Sequence, residues 1–269
     1  MGRTILITGA SSGIGKVTAQ LFCRHGWNVA ATMRSPEKKA EWAASDSVFL
    51  ARLDVTDIES VRKAIGDAHA HFGAIEAVVN NAGYALVGPF EYSTREQIER
   101  QIATNLTGVM NVVREILPYF RAQGSGTIVN VSSMGGRVAF PLYSAYHATK
   151  WGLEGFSESL QFELRPLNIR VKIIEPGPIK TDFHERSMDV ITKPAVAAYN
   201  CFVARAMPNI QRAGATAPGP AVVARTIYRA VTDRSWKLRY TANSAPILAL
   251  RRLIPESWFR AIMARVLVR

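Results

Sequence analysis

Short apolar runs alternate with amphipathic stretches along most of the chain. An apolar stripe at helical spacing predicts a helix, whereas a run that is apolar at consecutive positions predicts a strand buried on both faces. The runs that predict strands are RTILITG (3–9), WNVAATMR (27–34), SVFLARLDV (47–55), IEAVVNNAG (75–83), GTIVNVSS (126–133) and IRVKIIEPG (169–177). Helices are predicted at GKVTAQLFCRHG (15–26), from Pro36, at DIESVRKAIGDAHAHFG (57–73) with Asp57 as N-cap, around 104–122, and from Tyr143 to Leu164.

Strands that alternate with helices predict a parallel sheet covered on both sides, because a parallel connection needs a crossover. With right-handed crossovers, the prediction is a doubly wound α/β Rossmann fold with a parallel sheet of about seven strands. WKLRY (236–240) is the candidate for the last strand. Residues 183–217 break the pattern and predict a lid inserted over the ligand edge of the sheet. We therefore predict a single domain over 1–269, with its cofactor and catalytic core at 3–182.

The composition fits one large globular core, since 48% of the 269 residues are hydrophobic. No apolar run approaches the roughly 18 residues needed to span a membrane, and the N-terminal run is too short for a secretory signal. Cys23 and Cys201 are far apart, so we predict reduced thiols in a cytoplasmic protein, without a disulfide framework or a metal site.

The formal net charge of +12 is unusual and leaves three alternatives. The excess can favour an anionic cofactor, favour an anionic membrane surface, or form a solvated basic exterior. No nucleic-acid partner is expected, because no dense basic run is interleaved with aromatic residues.

TGASSGIG (8–15) connects the first strand to the first helix. Gly9, Gly13 and Gly15 allow a tight turn and a close approach of a pyrophosphate to the free N–H groups at the helix N-terminus. A plain turn rich in small residues is one alternative. The same letters also match the G-x-S-x-G elbow of a serine hydrolase, with Ser11 as nucleophile. The elbow is the weaker interpretation, because it lies on the first strand and no oxyanion loop precedes it.

Arg34 follows the second strand, where an NAD enzyme carries Asp or Glu for the ribose hydroxyls. Here Met33 replaces the acid, and the guanidinium of Arg34 can hold a 2′-phosphate through paired hydrogen bonds. Lys38 and Lys39 are nearby. The sequence therefore favours NADP(H) over NAD(H), with a surface arginine that caps a strand as the alternative.

YSAYHATK (143–150) places Tyr146 and Lys150 four positions apart, so on a helix they share one face. A ketone that accepts hydride becomes an alkoxide and needs a proton, which a tyrosine can give. A nearby ammonium favours the phenolate, so we expect Lys150 to lower the pKa of Tyr146 toward the operating pH.

Together these motifs resemble those of the short-chain dehydrogenases/reductases over residues 3–182. In the family's order the chain carries TGASSGIG (8–15), NNAG (80–83), NLTG (105–108), VSS (131–133), YHATK (146–150) and PGPIKT (176–181). Ser133 lies thirteen residues before Tyr146, as the family pattern requires. The resemblance implies an NADP(H)-dependent oxidoreductase in which the hydride belongs to the cofactor.

The resemblance implies a catalytic set of Asn105, Ser133, Tyr146 and Lys150. Ser133 would donate to the carbonyl oxygen, Asn105 would hold a water that links Lys150 to solvent, and Lys150 would also bind the nicotinamide ribose. Asp54 would contact the adenine. The predicted cofactor-binding residues are Gly9, Ser11, Ser12, Gly13, Ile14, Gly15, Arg34, Asp54, Val55, Asn81, Ala82, Gly83, Tyr146, Lys150, Pro176, Gly177, Ile179 and Thr181.

AATMRS (30–35) and the long insertion are similar to the branch that holds 17β-hydroxysteroid and retinol dehydrogenases, which implies a bulky apolar ketone or alcohol as substrate. An ordinary helical lid with an apolar underside is the alternative. The candidate pocket walls in the insertion are Phe183, Met188, Val190, Tyr199, Phe202 and Met207. Cys201 is expected to line the pocket or to be buried.

Residues 245–269 predict two short, basic, amphipathic helices broken at Pro255. Packing on the lid or on a second subunit is favoured over contact with an anionic membrane. The resemblance also implies a homodimer or homotetramer, formed through the helix of Tyr146 and the helix before it. A non-catalytic NADP(H) sensor remains the alternative function, with the serine hydrolase behind it.

Overall fold

A seven-stranded parallel sheet forms the centre of the molecule in the computed structural model, which describes residues 2–37, 43, 45–180, 188–191 and 197–268. In chain order its strands are β1 (Thr4–Thr8), β2 (Asn28–Met33), β3 (Val48–Arg52), β4 (Ala77–Asn80), β6 (Gly126–Val131), β7 (Ile169–Pro176) and β9 (Arg239–Ala242). Their order across the sheet is β3-β2-β1-β4-β6-β7-β9. The chain therefore winds outward from β1 in both directions, which confirms the predicted Rossmann architecture.

The helices of the described residues cover both faces of this sheet. They are α1 (Gly13–Arg24), α2 (Ile58–Phe72), α3 (Arg95–Ile102), α4 (Gly108–Ala122), α5 (Ser144–Leu164), α6 (Ala197–Ala215), α7 (Ala221–Thr232), α8 (Ala245–Leu253) and α9 (Glu256–Leu267). None of them combines the length and the apolar character needed to cross a bilayer.

Alternate residues of β1 belong to two different hydrophobic clusters. Leu6 packs among side chains of α2, α4 and α5, while Ile5 and Ile7 pack among those of α1 and α7. All three are fully buried. Burial on both faces is the physical reason why the strands read as continuous apolar runs in the sequence.

The six strands predicted first are all confirmed. The last strand, predicted at WKLRY (236–240), begins within that stretch at Arg239 and ends at Ala242. Asp57 caps α2 as predicted, since its side chain accepts hydrogen bonds from the N–H groups of Glu59 and Ser60. The helix predicted around 104–122 begins later, at Gly108, because a π-helical segment, Ala103–Thr107, precedes it. The helix predicted from Pro36 runs into residues 38–42, which lie outside the described part of the chain.

The structure adds elements that the sequence pattern does not predict. β5 (Ala85–Val87) and β8 (Met188–Val190) pair in parallel as a separate two-stranded sheet. Three residues are too few to show a periodicity, so neither strand leaves a signal. This small sheet connects the predicted lid to the segment that follows β4, and so places the lid beside the carboxyl ends of the main strands.

Candidate active site

The glycine turn between β1 and α1 is closely packed against the segment that follows β4. Gly9 adopts a left-handed backbone with φ of 68°, and a Cβ there would lie 2.9 Å from the Cα of Ala82. A Cβ on Gly15 would lie 2.3 Å from the carbonyl oxygen of Gly9. Only glycine fits at these two positions, so the turn brings the N-terminus of α1 close to the sheet edge.

Hydrogen bonds from two side chains hold this turn in place. The Thr8 hydroxyl accepts from the backbone N–H groups of Asn81 and Ala82, at 3.0 and 3.1 Å. The Asn81 amide donates to the carbonyls of Thr8 and Gly9, at 3.0 and 3.1 Å. The turn at 8–15 and the NNAG segment at 80–83 are therefore one unit, although they are about 70 residues apart in the chain.

The first turn of α1 has room for an anion. Ser12 is its N-cap, but within the described part of the chain no side chain forms a capping hydrogen bond there, and the first turn carries no acidic residue. Ser11 is exposed, Ser12, Gly13 and Ile14 are partly exposed, and Gly15 is buried. The glycine cradle and the open helix end fit the pyrophosphate of a dinucleotide.

Arg34 and Asp54 lie close together where β2 and β3 end. The Leu53 N–H donates to the Met33 carbonyl at 2.9 Å, which brings the two strand ends into register. Burial acts to raise the pKa of Asp54, but hydrogen bonds from Thr56 and the charge of Arg34 outweigh it, so the pKa is lowered. Arg34 is exposed, with its guanidinium beside a carboxylate. The pair borders the edge where the adenosine end of a dinucleotide would lie.

Val55, the next residue, points away from that edge. Its side chain is 6% exposed and packs in the core, 2.7 Å from the position that a Cβ on Gly108 would take. Its carbonyl accepts from the Asn111 amide at 3.0 Å. The side chain of Val55 therefore contributes packing, and contact with a cofactor is left to its backbone.

Tyr146 and Lys150 share one face of α5, as the helical spacing predicts. The Lys150 ammonium is buried, donates to the Val131 carbonyl at 2.8 Å and lies 5.8 Å from the centre of the Tyr146 ring. Ser133 follows β6 and forms a hydrogen bond with the Tyr146 side chain. Its hydroxyl also accepts from the Gly135 N–H at 2.9 Å. The structure thus brings together the three residues that the motifs predict.

The sequence predicts a lowered pKa for Tyr146, and this prediction is wrong for the chain by itself. Burial raises the pKa of Tyr146 to about 12, and the hydrogen bond with Ser133 opposes this only in part. Burial likewise lowers the pKa of Lys150 to about 8, against the charge of Glu154. Loss of water around the phenol therefore outweighs the influence of the ammonium.

Asn105 lies in the π-helical segment and is 1% exposed. Its amide group donates to the Tyr84 carbonyl at 2.7 Å, and its Oδ1 accepts from the Tyr84 N–H at 3.0 Å. The side chain thus pairs with a backbone as a neighbouring strand would, and fixes the segment that leads from Gly83 into β5. The role of Asn105 as a water ligand stays a prediction.

The segment after β7 completes the edge of the cleft. Pro176 is buried, and a Cβ on Gly177 would lie 2.0 Å from the Asn243 carbonyl, so two backbones meet closely here. Ile179 is 9% exposed and packs on the α1 side of the sheet. Thr181, the last predicted cofactor contact, lies outside the described residues, as do Lys38 and Lys39.

His147 has a structural role and positions the loop after β6. Its Nδ1 donates to the Gly135 carbonyl at 2.7 Å, and its Nε2 accepts from the Phe140 N–H at 2.8 Å. Burial lowers the pKa of His147, which keeps the ring neutral and suits one donor and one acceptor nitrogen. The loop next to Ser133 is thereby tied to α5.

An apolar cluster covers the Tyr146 side of the cleft. Its buried centre is Ala85, Val87, Leu142, Ala206 and Ile210, and Tyr143, Tyr146, Met188, Phe202, Val203 and Met207 pack against it. Met188, Phe202 and Met207 therefore lie where the sequence predicts pocket walls.

Other predicted pocket residues lie elsewhere. Val190 is 41% exposed, and the Tyr199 hydroxyl donates to Glu91 at 2.8 Å, away from the apolar cluster. Cys201 is exposed, so the expectation that it is buried or lines the pocket is wrong, because it lies on the outer side of α6. Phe183 falls outside the described residues.

Comparison with known proteins agrees with these features. The profile of the family described as short chain dehydrogenase matches residues 3–190. An uncharacterized oxidoreductase of Bacillus subtilis, YusZ, is 38% identical in an alignment of 277 positions that covers 98% of each chain. A 3-ketodihydrosphingosine reductase of Bacteroides thetaiotaomicron is 39% identical over 181 residues, covering 67% of this chain and 65% of its own.

Solved structures agree as well. A short-chain dehydrogenase from Streptomyces avermitilis superposes with a TM-score of 0.84 at 32% identity, covering 98% of this chain and 97% of its own. ElxO with NADP bound has a TM-score of 0.76 at 26% identity, covering 91% of this chain and 98% of its own. Since the family profile spans most of the chain and relatives above 30% identity cover nearly all of it, the chain belongs to the short-chain dehydrogenase/reductase family of NAD(P)-dependent oxidoreductases.

Proposed function

We propose that this chain is an NADP(H)-dependent carbonyl reductase or alcohol dehydrogenase that acts on an apolar ketone or secondary alcohol. One observation carries the proposal. Tyr146 lies between the Ser133 hydroxyl and the Lys150 ammonium, on the side of the sheet edge that an apolar cluster covers. A proton donor, a hydrogen-bond donor and a cation thus meet beside apolar side chains, which suits the reduction of an apolar carbonyl group.

The cofactor supplies the hydride, and the chain supplies the proton and its control. Tyr146 Oη gives a proton to the oxygen of the reduced carbonyl, and takes one from the alcohol in the opposite direction. Ser133 donates a hydrogen bond to the same oxygen as negative charge develops there. Lys150 places a positive charge below the phenol, which favours the phenolate that remains after the proton has left.

The pKa values of the two groups suit carbonyl reduction. With a pKa near 12, Tyr146 keeps its proton across the neutral range and is ready to donate it. With a pKa near 8, Lys150 keeps its charge at neutral pH and loses it in mild base. We expect the reductive rate to fall as pH rises through about 8, because the phenolate product of proton transfer then loses its cation.

Arg34 supports NADP(H) over NAD(H). Its exposed guanidinium at the end of β2 lies where the ribose 2′-position of a bound dinucleotide is held in doubly wound folds. The excess of basic residues also favours a multiply anionic ligand. The solved relative ElxO is known with NADP bound, which supports the same assignment.

The proposed substrate class is supported by the apolar side chains that pack against Tyr146. Met188, Phe202 and Met207 present apolar surface next to the ring, and Tyr143 lies 5.8 Å from it, ring centre to ring centre. The relative named 3-ketodihydrosphingosine reductase also acts, by its name, on a keto compound. We therefore place the substrate among steroid-, retinoid- or aryl-ketone-like molecules, as in the branch of 17β-hydroxysteroid and retinol dehydrogenases.

A substrate panel tests the proposal directly. Steroid, retinoid, aryl and acyl ketones are each incubated with the protein and NADPH, and the loss of NADPH absorbance is followed. Tyr146→Phe is expected to lower kcat at least 100-fold, while the Kd for NADPH stays within about twofold of the wild-type value. Retained turnover in Tyr146→Phe contradicts the assignment of Tyr146 as acid.

Two alternatives make different forecasts for the same assays. A non-catalytic NADP(H) sensor binds the dinucleotide and turns over no ketone at all. A serine hydrolase reacts with a fluorophosphonate probe at Ser11, and we expect no such labelling.

The quaternary structure proposed is a homodimer or homotetramer formed through α4 and α5. Trp151 and Phe162 of α5 are 49% and 72% exposed, an apolar surface that a second copy would cover. Light scattering tests it, and a monomer at micromolar concentration would contradict it.

A further inference from the structure

The active-site face of α5 extends one turn beyond Lys150. Glu154 follows Lys150 at helical spacing, so Tyr146, Lys150 and Glu154 form one stripe. Three consecutive residues at the end of β6 and directly after it, 131–133, face this stripe. Ser133 meets Tyr146, and the Val131 carbonyl meets Lys150. The Ser132 Oγ and the Glu154 Cγ both lie 2.8 Å from the position of a Cβ on Gly136, so they are neighbours too.

Glu154 belongs to a buried charge cluster behind the catalytic residues. Glu154 and Glu175 are only 4% and 3% exposed. The Arg239 Nε donates to Glu154 Oε2 at 3.0 Å and lies 3.6 Å from Glu175 Oε1. Arg137 is 3.9 Å from the same Glu175 oxygen. Two carboxyl groups thus share the charge of one close arginine.

The two carboxyl groups differ in how strongly nearby cations stabilise their ionised forms. Glu154 has a close, charge-assisted hydrogen bond, whereas the cations beside Glu175 stay beyond hydrogen-bond distance. Burial, reinforced by the charge of Glu154, raises the pKa of Glu175 to about 7. Burial raises the pKa of Glu154 as well, but the charge of Arg239 and its hydrogen bond oppose this. Glu175 therefore takes up a proton first as pH falls, and Glu154 is the carboxylate of the pair.

A buried carboxylate one helical turn from a buried lysine stabilises the ammonium form of that lysine. We propose that Glu154 is a positioning residue of the active site, whose carboxylate keeps Lys150 protonated at neutral pH. The consequence for catalysis rests on the proposed function, since the charge of Lys150 matters there for the proton held by Tyr146. Glu154 touches neither substrate nor cofactor in this assignment, and acts only through Lys150.

Every charged or titratable neighbour of the pair can be named among the described residues. Tyr146 lies beside Lys150 on α5. The groups around Glu154 are Arg239 of β9, Glu175 of β7, Arg137 after β6, and Lys150 and Glu158 of α5. Arg239 also donates to Glu158 at 2.7 Å, and Glu158 is 53% exposed on its side chain. Glu158 is thus a natural control that shares the arginine but not the burial.

The titration of Lys150 itself gives the sharpest test. Protein grown with lysine labelled with ¹³C at Cε is titrated by two-dimensional NMR, and the Lys150 signal is assigned by its loss in Lys150→Met. The wild-type midpoint is expected near 8. Glu154→Gln should move the midpoint down by about one pH unit, whereas Glu158→Gln should leave it unchanged.

A purely structural role for Glu154 gives a different result. If Glu154 only anchors Arg239 to α5, Glu154→Gln and Glu158→Gln leave the Lys150 midpoint in the same place, and the proposal is overturned. Should Glu154→Gln fail to fold, Glu154→Asp provides the second measurement. Asp keeps the charge at a greater distance from Lys150, so a smaller downward shift is expected, and no shift overturns the proposal.

Kinetics separate this inference from the proposed function. In the wild type and both glutamate variants, the pH at which the reductive kcat/KM falls should follow the NMR midpoint. A shifted NMR midpoint in a chain that reduces no ketone supports the role of Glu154 and removes the proposed function. Normal turnover with an unshifted NMR midpoint supports the proposed function and removes the role of Glu154.

Discussion

At the scale of single residues, spacing predicts which groups are reactive, and burial sets the direction of their pKa shifts. Tyr146, Lys150 and Ser133 are recognisable in the sequence and lie together in the structure. The pKa of Tyr146 nevertheless rises rather than falls, because water is excluded from around the phenol. Glu154 and Glu175 leave no motif, since their meeting depends on α5 and β7 lying side by side.

The proposed preference for NADP(H) rests on one side chain. Arg34→Asp is expected to lower kcat/KM for NADPH by about 10- to 100-fold, because a carboxylate replaces the partner of the 2′-phosphate. The value for NADH should stay the same or rise. Arg24→Asp, at the far end of α1, makes the same charge change away from the cleft and should leave the ratio unaltered. An unchanged ratio in Arg34→Asp would count against the phosphate role.

The raised pKa of Glu175 has a consequence for stability. A carboxyl group with a raised pKa in the folded state stabilises the fold below its unfolded pKa, near 4.5, and that contribution is lost as pH rises through about 7. Each pKa unit corresponds to about 1.4 kcal/mol. Glu175→Gln has no proton to lose at this position. Its free energy of unfolding, relative to that of the wild type, should therefore increase as pH rises from 5 to 8.

The gain expected for Glu175→Gln is on the order of 3 kcal/mol, as an upper bound. Urea unfolding at a series of pH values measures it. Glu158→Gln should show no such gain, because the hydrogen bond from Arg239 lowers rather than raises the pKa of Glu158. If the difference in free energy of unfolding between Glu175→Gln and the wild type is the same from pH 5 to pH 8, Glu175 is ionised throughout and the raised pKa is contradicted.

At the scale of elements, helix and strand periods predict the main sheet and the long helices but not the pieces that shape the cleft. β5 and β8 are three residues each, and the π-helical segment before α4 has no pattern of its own. These pieces are held by side chains from elsewhere. Asn105 pairs with the Tyr84 backbone, and His147 ties down the loop after β6.

The loop after β6 depends on His147. His147→Ala removes two buried hydrogen bonds and is expected to cost about 2 kcal/mol in the free energy of unfolding. The reductive kcat should fall about tenfold as the loop beside Ser133 loosens, while NADPH binding is retained. Urea unfolding and steady-state kinetics measure the two effects. Glu163→Ala, at an exposed position of the same helix, should change neither, and equal behaviour of the two variants contradicts the positioning role.

At the scale of the whole molecule, the C-terminal segment has two different faces. As predicted, α8 and α9 are separated at Pro255. Phe259 is 3% exposed, and the Asn209 amide of α6 donates to the Leu267 carbonyl at 3.3 Å, so one face of α9 packs on the lid helix. Trp258, Ile262 and Val266 form a stripe on the other side and are exposed.

Packing on α6 agrees with the favoured role of the segment, and we propose contact with an anionic lipid bilayer only for the exposed stripe of α9. Trp258 of α9 is 67% exposed and Leu253 at the end of α8 is 80% exposed, with Arg252, Arg260 and Arg265 nearby in the chain. We expect the chain to float with vesicles that contain phosphatidylserine, and to release at high salt, because basic residues carry much of the attraction.

Trp258→Glu with Ile262→Glu should abolish flotation and leave NADPH binding intact. Vesicles of phosphatidylcholine alone are the control for charge. Equal flotation of the wild type and the double variant would remove the membrane contact and leave packing on α6 as the sole role of the segment.

The sequence by itself determined the fold class, the strand order along the chain and the residues to which we assign the chemistry. It could do so because hydrophobic period, glycine spacing and the Tyr146–Lys150 interval are local features of a chain. Only the tertiary structure decided the acidity of Tyr146, the partners of Asn105 and His147, and the pairing of Glu154 with Glu175. Those properties depend on how much water remains around a group and on which distant segments become its neighbours, and neither is written in any short stretch of residues.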